Sequence, residues 1–356
     1  MIQLKQKSKV FIACPYYKTG GPKSLHQLAN ELINSGIETY IIYYSDGVFT
    51  GENDILFSFC KAKVATNIID NNDNVLLVSE TATSLLERYS KIKKVIWWLS
   101  LDYYFSSSVM GRVRHVIRYK RLPRIMEPVM FFKLLVEDLY CHRHFTKVDA
   151  NSLKKYHHLY NCEYEKEYLM AQGVNLDSLL YLCGPLEERF LDLKYDKVKR
   201  FKKDIVAYNP AKMDMKYLEK VKAELSVINS NIEFVAIQNM SREQVYETLR
   251  SAKVYIDFGY FPGPERMPRE AVALYCNIIT STEGSAKNDL DVMIPREFKF
   301  DIKNEKTAKE VSYLINKMIM DYKDYVKYGD QYREKVWKQI TSFSKSVEEI
   351  FEIDAT

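Results

Sequence analysis

Short apolar runs alternate with segments of helical period along most of the chain. KVFIAC (Lys9–Cys14) is a continuous apolar run of strand length. It passes through PYYKTGGPKS into LHQLANELINSG, where Leu25, Leu28, Ala29, Leu32 and Ile33 recur at the spacing of one helix face. Gly36 ends that helix, and ETYIIYY is the next strand. Further strand-like runs are Val64–Ile69, Val75–Ser79 and Lys94–Ser100, with shorter ones at His158–Cys162 and Leu179–Cys183. Strands alternating with helices predict a parallel, doubly wound sheet over this first half.

The segment GPLEERFLDLKYDKVKRFKK is polar and weakly patterned and reads as a linker. A second series follows: DIVAYN strand, MKYLEKVKAEL helix, IEFVAI strand, SREQVYETLRSA helix, VYIDF strand, PREAVALY helix and CNIIT strand. Ser241 and Gln244 have the spacing of a capping box. From about Thr307 to Ile350 the pattern is helical and amphipathic. The expected organisation is an α/β domain over 1–184, a second over 185–335 and a C-terminal helix over 336–356.

Between VYIDF and the next helix the chain breaks at Gly259, Pro262, Gly263 and Pro264. Pro268 then suits a helix start, with Glu270 in its first turn. Arg266, Arg269 and Glu270 should therefore stand at the C-terminal end of a parallel strand and the N-terminus of a helix. Open α/β sheets bind ligands there, and the free N–H groups and helix dipole favour phosphate. Guanidiniums pair with phosphate oxygens, and a carboxylate accepts from ribose hydroxyls. The plainer reading is a solvated charge cluster, with Glu270 contributing up to about 1 kcal/mol against the helix dipole.

At 356 residues the chain suits two domains of roughly 100–200 residues each. Hydrophobic content of 47% and charged content of 28% describe a globular protein. The net charge of +5 is compatible with a phosphate-bearing ligand or an anionic membrane surface. It does not imply nucleic-acid binding, and no recognised binding module is present. The six cysteines are scattered, with no CxxC and no ligand spacing; His142 and His144 flank Arg143 without a further ligand cluster. The expectation is a reduced cytoplasmic protein without a metal. MIQLKQKSKVFIAC lacks the apolar core of a signal peptide, and no apolar run approaches the ~18 residues of a membrane span. Gly20 and Gly21 would let backbone approach a ligand. The motif is neither GxGxxG nor a P-loop, although Lys23-Ser24 follows.

GGPKSLHQLANELINSGIETYIIYY resembles the opening of bacterial nucleotide-sugar glycosyltransferases of capsule or O-antigen type, and DFGYFPGPERMPREAVALYCNIITSTEGSAKND resembles their donor block. WWLSLDYY and YNPAK are similar to blocks of the same group. The resemblance implies the GT-B architecture: two Rossmann-like domains whose parallel sheets face each other across a cleft, with the C-terminal helix packing back on the first domain. It implies transfer of a sugar from a nucleoside-diphosphate sugar, used as co-substrate with no cofactor or metal, to a glycan or lipid-linked acceptor hydroxyl. Lys212, Arg266, Arg269, Glu270 and the Gly284-Ser285-Ala286 turn would hold the donor. Gly20 and Gly21 would face the acceptor, and His26, Glu80 and Asp102 are the candidate bases, unranked. Two positions depart from the pattern: Pro262 replaces a Glu eight residues before Glu270, and Tyr275 replaces a Gly after the helix. Nucleotide anchoring is thereby supported, and sugar recognition is not.

Residues 111–136, GRVRHVIRYKRLPRIMEPVMFFKLLV, join six basic residues (Arg112, Arg114, Arg118, Lys120, Arg121, Arg124) to an apolar run within an insertion at about 105–140. One reading is peripheral contact with the inner face of the membrane; the other is a solvated insertion followed by a core helix. Two further functional readings remain open at this level: a nucleotide-sugar epimerase of the same architecture, and a catalytically silent GT-B scaffold.

Overall fold

The chain folds, in a computed structural model, into two compact units: Met1–Gly184 with Ser342–Thr356, and Pro185–Thr341. The structure describes residues 1–353 apart from 46, 120–121, 142–144, 192 and 212.

In unit 1 the strands are β1 (Lys9–Pro15), β2 (Glu38–Ser45), β3 (Val75–Ser79), β4 (Lys93–Trp98), β5 (His157–Tyr160) and β6 (Leu179–Tyr181). They run parallel in the order β2-β1-β3-β4-β5-β6, and Val48–Phe49 adds antiparallel to the outer edge of β2. The apolar runs are continuous because both faces of the sheet are covered. Alternate residues of β1 divide between the two sides, as the two-residue period of a strand requires. Val10, Ile12 and Cys14 pack with Leu25, Leu28 and Leu32 of helix α1 (Gly20–Asn34). Phe11 and Ala13 pack with Leu85, Tyr104 and Leu153. The expected strand over Val64–Ile69 shrinks to Lys63–Val64. There Ala65 donates to Ile41 O at 2.8 Å and the chain leaves the sheet.

After β4 come α2 (Leu101–Ser106), α3 (Val109–Tyr119) and α4 (Glu127–Cys141). The C-terminal helix Phe343–Ile350 returns to unit 1 and buries Phe343, Val347 and Ile350 in the same cluster as α1. Phe351–Ile353 then pairs in parallel with Ile2–Leu4.

Unit 2 is a five-stranded parallel sheet of β7 (Lys203–Tyr208), β8 (Glu233–Ala236), β9 (Ala252–Asp257), β10 (Asn277–Ser281) and β11 (Lys299–Phe300), in the order β8-β7-β9-β10-β11. Its site-bearing helices are α5 (Arg242–Ser251), α6 (Arg266–Ala273) and α7 (Asp330–Thr341). The capping box forms at α5: Gln244 N–H donates to Ser241 Oγ at 3.2 Å, and Ser241 N–H donates to Gln244 Oε1 at 2.7 Å. Because α7 is one continuous helix within unit 2, the chain returns to unit 1 at Ser342.

The polar stretch after Gly184 is not a free linker. Leu186, Phe190 and Val198 are buried in unit 2. Lys202 donates to Leu249 O at 3.2 Å and Ala252 O at 2.5 Å, and burial pulls its ammonium down to about 8. The few apolar anchors are spaced irregularly, so no period betrays them.

Tyr275 occupies left-handed backbone, φ 63°, just past α6. Tyr275 N–H donates to Val272 O at 3.0 Å and Cys276 N–H to Ala271 O at 2.9 Å. This is the closure of a helix end that ordinarily takes glycine. The tyrosine offsets its strain elsewhere: its hydroxyl donates to Leu193 O at 2.6 Å, and the Arg333 guanidinium lies 3.9 Å from its ring centroid. Tyr275→Gly relieves a backbone cost of about 1–2 kcal/mol. It also removes a buried hydrogen bond, a cation–π contact and ring burial, which together are worth more. Urea unfolding should show a net loss of about 1–3 kcal/mol; a gain would refute this account of the position.

Candidate functional site

In unit 2 the chain passes from β7 outward to β8 and then back to β9 on the other side, so the order reverses between β7 and β9. Ligand crevices of open α/β sheets form at such a reversal, beyond the C-terminal strand ends. The loop after β9 and helix α6 stand there. Pro268 is the third residue of α6, where its missing N–H has no intrahelical partner to lose. The helix starts at Arg266, so Glu270 lies two residues further in than the sequence suggests, past the first turn. The helix dipole fades beyond the first turn and does not account for a carboxylate in that place.

Glu270 is fully buried, at 0% exposure. Its Oε1 accepts from Arg242 Nη2 at 2.7 Å and from Arg266 Nε at 2.5 Å. Its Oε2 has no partner among the described residues. Both guanidiniums also reach Glu187 Oε1, Arg266 at 3.0 Å and Arg242 at 3.4 Å. Glu187 continues to Arg189 at 3.0 Å, and Arg189 to Glu243 at 2.8 Å. Arg266 is therefore engaged with carboxylates while its side chain stays partly exposed, whereas Arg269 is almost wholly buried. Lys212 lies outside the described residues.

The Gly284-Ser285-Ala286 turn takes a structural part, with the Ser285 N–H and hydroxyl both engaged by the loop. Gly284 has φ 66°, and a Cβ there would lie 2.0 Å from Phe261 O. Ser285 N–H donates to Phe261 O at 2.8 Å, and Ser285 Oγ to Gly263 O at 2.7 Å. Ser281 Oγ donates to Gly259 O at 2.5 Å. The turn thus staples the Gly- and Pro-rich loop onto the end of β10.

In unit 1 the corresponding reversal lies between β1 and β3. Gly20 and Gly21 are the first two residues of α1, not a turn preceding it, and neither has positive φ. A Cβ at Gly20 would meet nothing within 4 Å, so the helix N-terminus is open there. Glu80, directly after β3, accepts from Leu99 N–H at 2.9 Å. Leu99 Cδ1 in turn lies 3.7 Å from where a Cβ of Gly21 would stand. The ends of β1, β3 and β4 thus meet around Glu80, and the buried Ser100 Oγ beside it has no partner among the described residues. Burial pushes the Glu80 carboxyl up to about 7 despite the N–H groups it accepts from.

Asp102 turns towards α3: Arg118 Nη1 donates to its Oδ1 at 2.8 Å and Oδ2 at 3.1 Å, and His115 Nδ1 lies 3.7 Å from Oδ2. Burial alone would raise this carboxyl; His115 and Arg118 outweigh it and hold it below the ordinary aspartate value. His26 is fully buried and does not meet solvent. Its Nδ1–H donates to Pro22 O at 2.7 Å, so Nε2 must accept from Tyr43 Oη, also at 2.7 Å. Burial depresses its pKa further. This neutral, fully engaged ring joins α1 to β2 and does not suit a general base.

Solved structures share this architecture across the whole chain. Sucrose-phosphate synthase from Thermosynechococcus elongatus superposes with TM-score 0.60 at 11% identity, over 97% of this chain and 98% of that one. HepE of Anabaena in complex with UDP-glucose gives 0.54 at 8%, over 96% and 98%. WaaG, a glycosyltransferase involved in lipopolysaccharide biosynthesis, gives 0.50 at 10%, over 98% and 100%. The fold is GT-B. No family model matches the sequence, and no curated protein matches it.

Sequence reasoning missed Arg242, Glu187, Arg189 and Ser100. Arg242 directly follows the predicted cap Ser241, which places it at a helix start beside a strand end. Glu187 and Arg189 lay hidden in the stretch read as a linker.

The state of Glu80 gives a pH prediction. Its folded value lies above 4.5, so the folded chain keeps a proton that the unfolded chain releases. Stability therefore falls as pH rises from about 4.5 to about 7, by on the order of 3 kcal/mol. Glu80→Gln should be more stable than wild type at pH 8 and similar to it near pH 4.5 by urea unfolding. An equal difference at both pH values would exclude Glu80 as the titrating group.

Proposed function

We propose that the chain is a glycosyltransferase that moves a sugar from a nucleoside-diphosphate sugar to a hydroxyl of a cell-surface glycan or lipid-linked oligosaccharide. The observation that carries this is the buried Glu270 carboxylate of α6, with Oε2 unpartnered among the described residues and two arginines over it. Oε2 would accept from ribose hydroxyls once the arginines over it move towards the donor. The side chains of Arg242 and Arg266 are 47% and 33% exposed, so both can exchange a carboxylate for diphosphate oxygens. Positive charge placed there stabilises the diphosphate as it leaves, and Lys212, by resemblance, adds to it. That HepE holds UDP-glucose supports a nucleotide-sugar donor, and the biosynthetic role of WaaG supports a surface-glycan acceptor. The thiols of Cys14, Cys60, Cys162, Cys183 and Cys276 are free and buried, in keeping with a reducing compartment.

For the acceptor hydroxyl, Glu80 is better suited than Asp102. A base titrating near neutral pH combines availability with proton affinity. Asp102 is held ionised by Arg118 and His115 and would first have to leave them.

A thermal-shift screen against nucleoside-diphosphate sugars should raise Tm by several degrees for at least one donor, since binding to the native state stabilises it by mass action. For that donor, Glu270→Gln should weaken binding about ten-fold or more by calorimetry while circular dichroism stays unchanged. A flat response across the panel, or wild-type affinity in the variant, would overturn the reading.

A further inference from the structure

We infer that the outer face of α4 is a docking surface for an anionic lipid bilayer. Ile125, Val129, Phe132, Val136 and Leu139 follow one another at intervals of four, three, four and three residues, with Tyr140 beside them. They form one stripe along the helix and the turn before it. All are exposed, from 48% at Val136 to 85% at Tyr140. The inner face is already used: Met130, Leu134 and Asp138 are half-buried, and Asp138 pairs with Arg112 of α3. That ion pair and the half-buried Met130 and Leu134 mark the side of α4 that faces the protein. Contiguous exposed apolar surface of this extent marks an interaction site.

Charge decides the occupant. From Tyr103 to Met126 the sequence holds six basic residues and no acidic one. Arg114 and Arg124 are exposed, and no ion pair of either occurs among the described residues. The exposed acid on α4, Glu137, has Lys133 at 4.0 Å, and Asp138 has Arg112, so both are met within the protomer. A second copy would match the apolar spacing but leave the basic excess unneutralised. Anionic headgroups neutralise it while the stripe enters the acyl boundary, as in interfacial helices. No helix among the described residues is long and apolar enough to cross a membrane, so the contact is peripheral. This inference does not depend on the transferase reading.

The test is co-sedimentation of the full chain with phosphatidylglycerol and phosphatidylcholine vesicles, with light scattering for mass. Binding is expected to phosphatidylglycerol and to weaken in 0.5 M salt, a result that needs no variant. Arg114→Glu with Arg124→Glu should lose about five-fold or more per charge. Phe132→Ser should lose about ten-fold or more, with an unchanged thermal melt. Absence of sedimentation with phosphatidylglycerol, or equal binding to both lipids at high salt, overturns the proposal. So does a dimer that Phe132→Ser dissociates without any vesicle binding, which would assign the face to a second copy.

Discussion

A carboxyl group with no exposure needs close hydrogen-bonding partners, and Glu270 obtains two guanidiniums. Removing an ion from water costs several kcal/mol, and only close, well-directed opposite charge returns it. Arg242 and Arg266 are thereby drawn to one oxygen, from two different helices. Each then recruits Glu187, so the segment after Gly184 is tied to the end of the sheet. The Gly- and Pro-rich loop between β9 and α6 is fixed from its other side by the Ser285 hydrogen bonds. The arginine contacts and the staple together hold the shape of this sheet edge and leave Glu270 Oε2 without a partner among the described residues.

Unit 1 uses the same geography with different electrostatics. Glu80 and Asp102 each follow a strand end, and each is nearly enclosed. Glu80 meets only N–H dipoles, which do not offset burial, so its proton is held to about 7. Asp102 meets a guanidinium and an imidazole, which do, so it stays ionised. Two acids at equivalent positions are separated in role by their neighbours alone.

The two departures from the family pattern have different meanings. Tyr275 stands where the backbone still adopts the glycine conformation; the strain persists because its ring and hydroxyl are engaged by Arg333 and Leu193. Pro262 lies in the stapled loop and supplies no carboxylate, so any sugar contact must come from other groups.

Hydrophobic period determined most of the architecture, because parallel strands buried on both faces read as continuous apolar runs and covering helices show one apolar stripe. The cap at Ser241 and the places of Glu270 and Glu80 just beyond strand ends were legible for that reason. Other features depend on neighbours distant in sequence, and only the tertiary structure decided them. The engagement of His26 needs Tyr43, the pairing of Asp102 needs Arg118, and the clamp on Glu270 needs Arg242 and Glu187. Which side of α4 meets solvent was likewise open in the sequence, since apolar residues lie on several sides of that helix and its packing on α3 selects a face. Local pattern fixes where a side chain sits along an element, while its protonation, partners and exposure follow from what the fold packs against it.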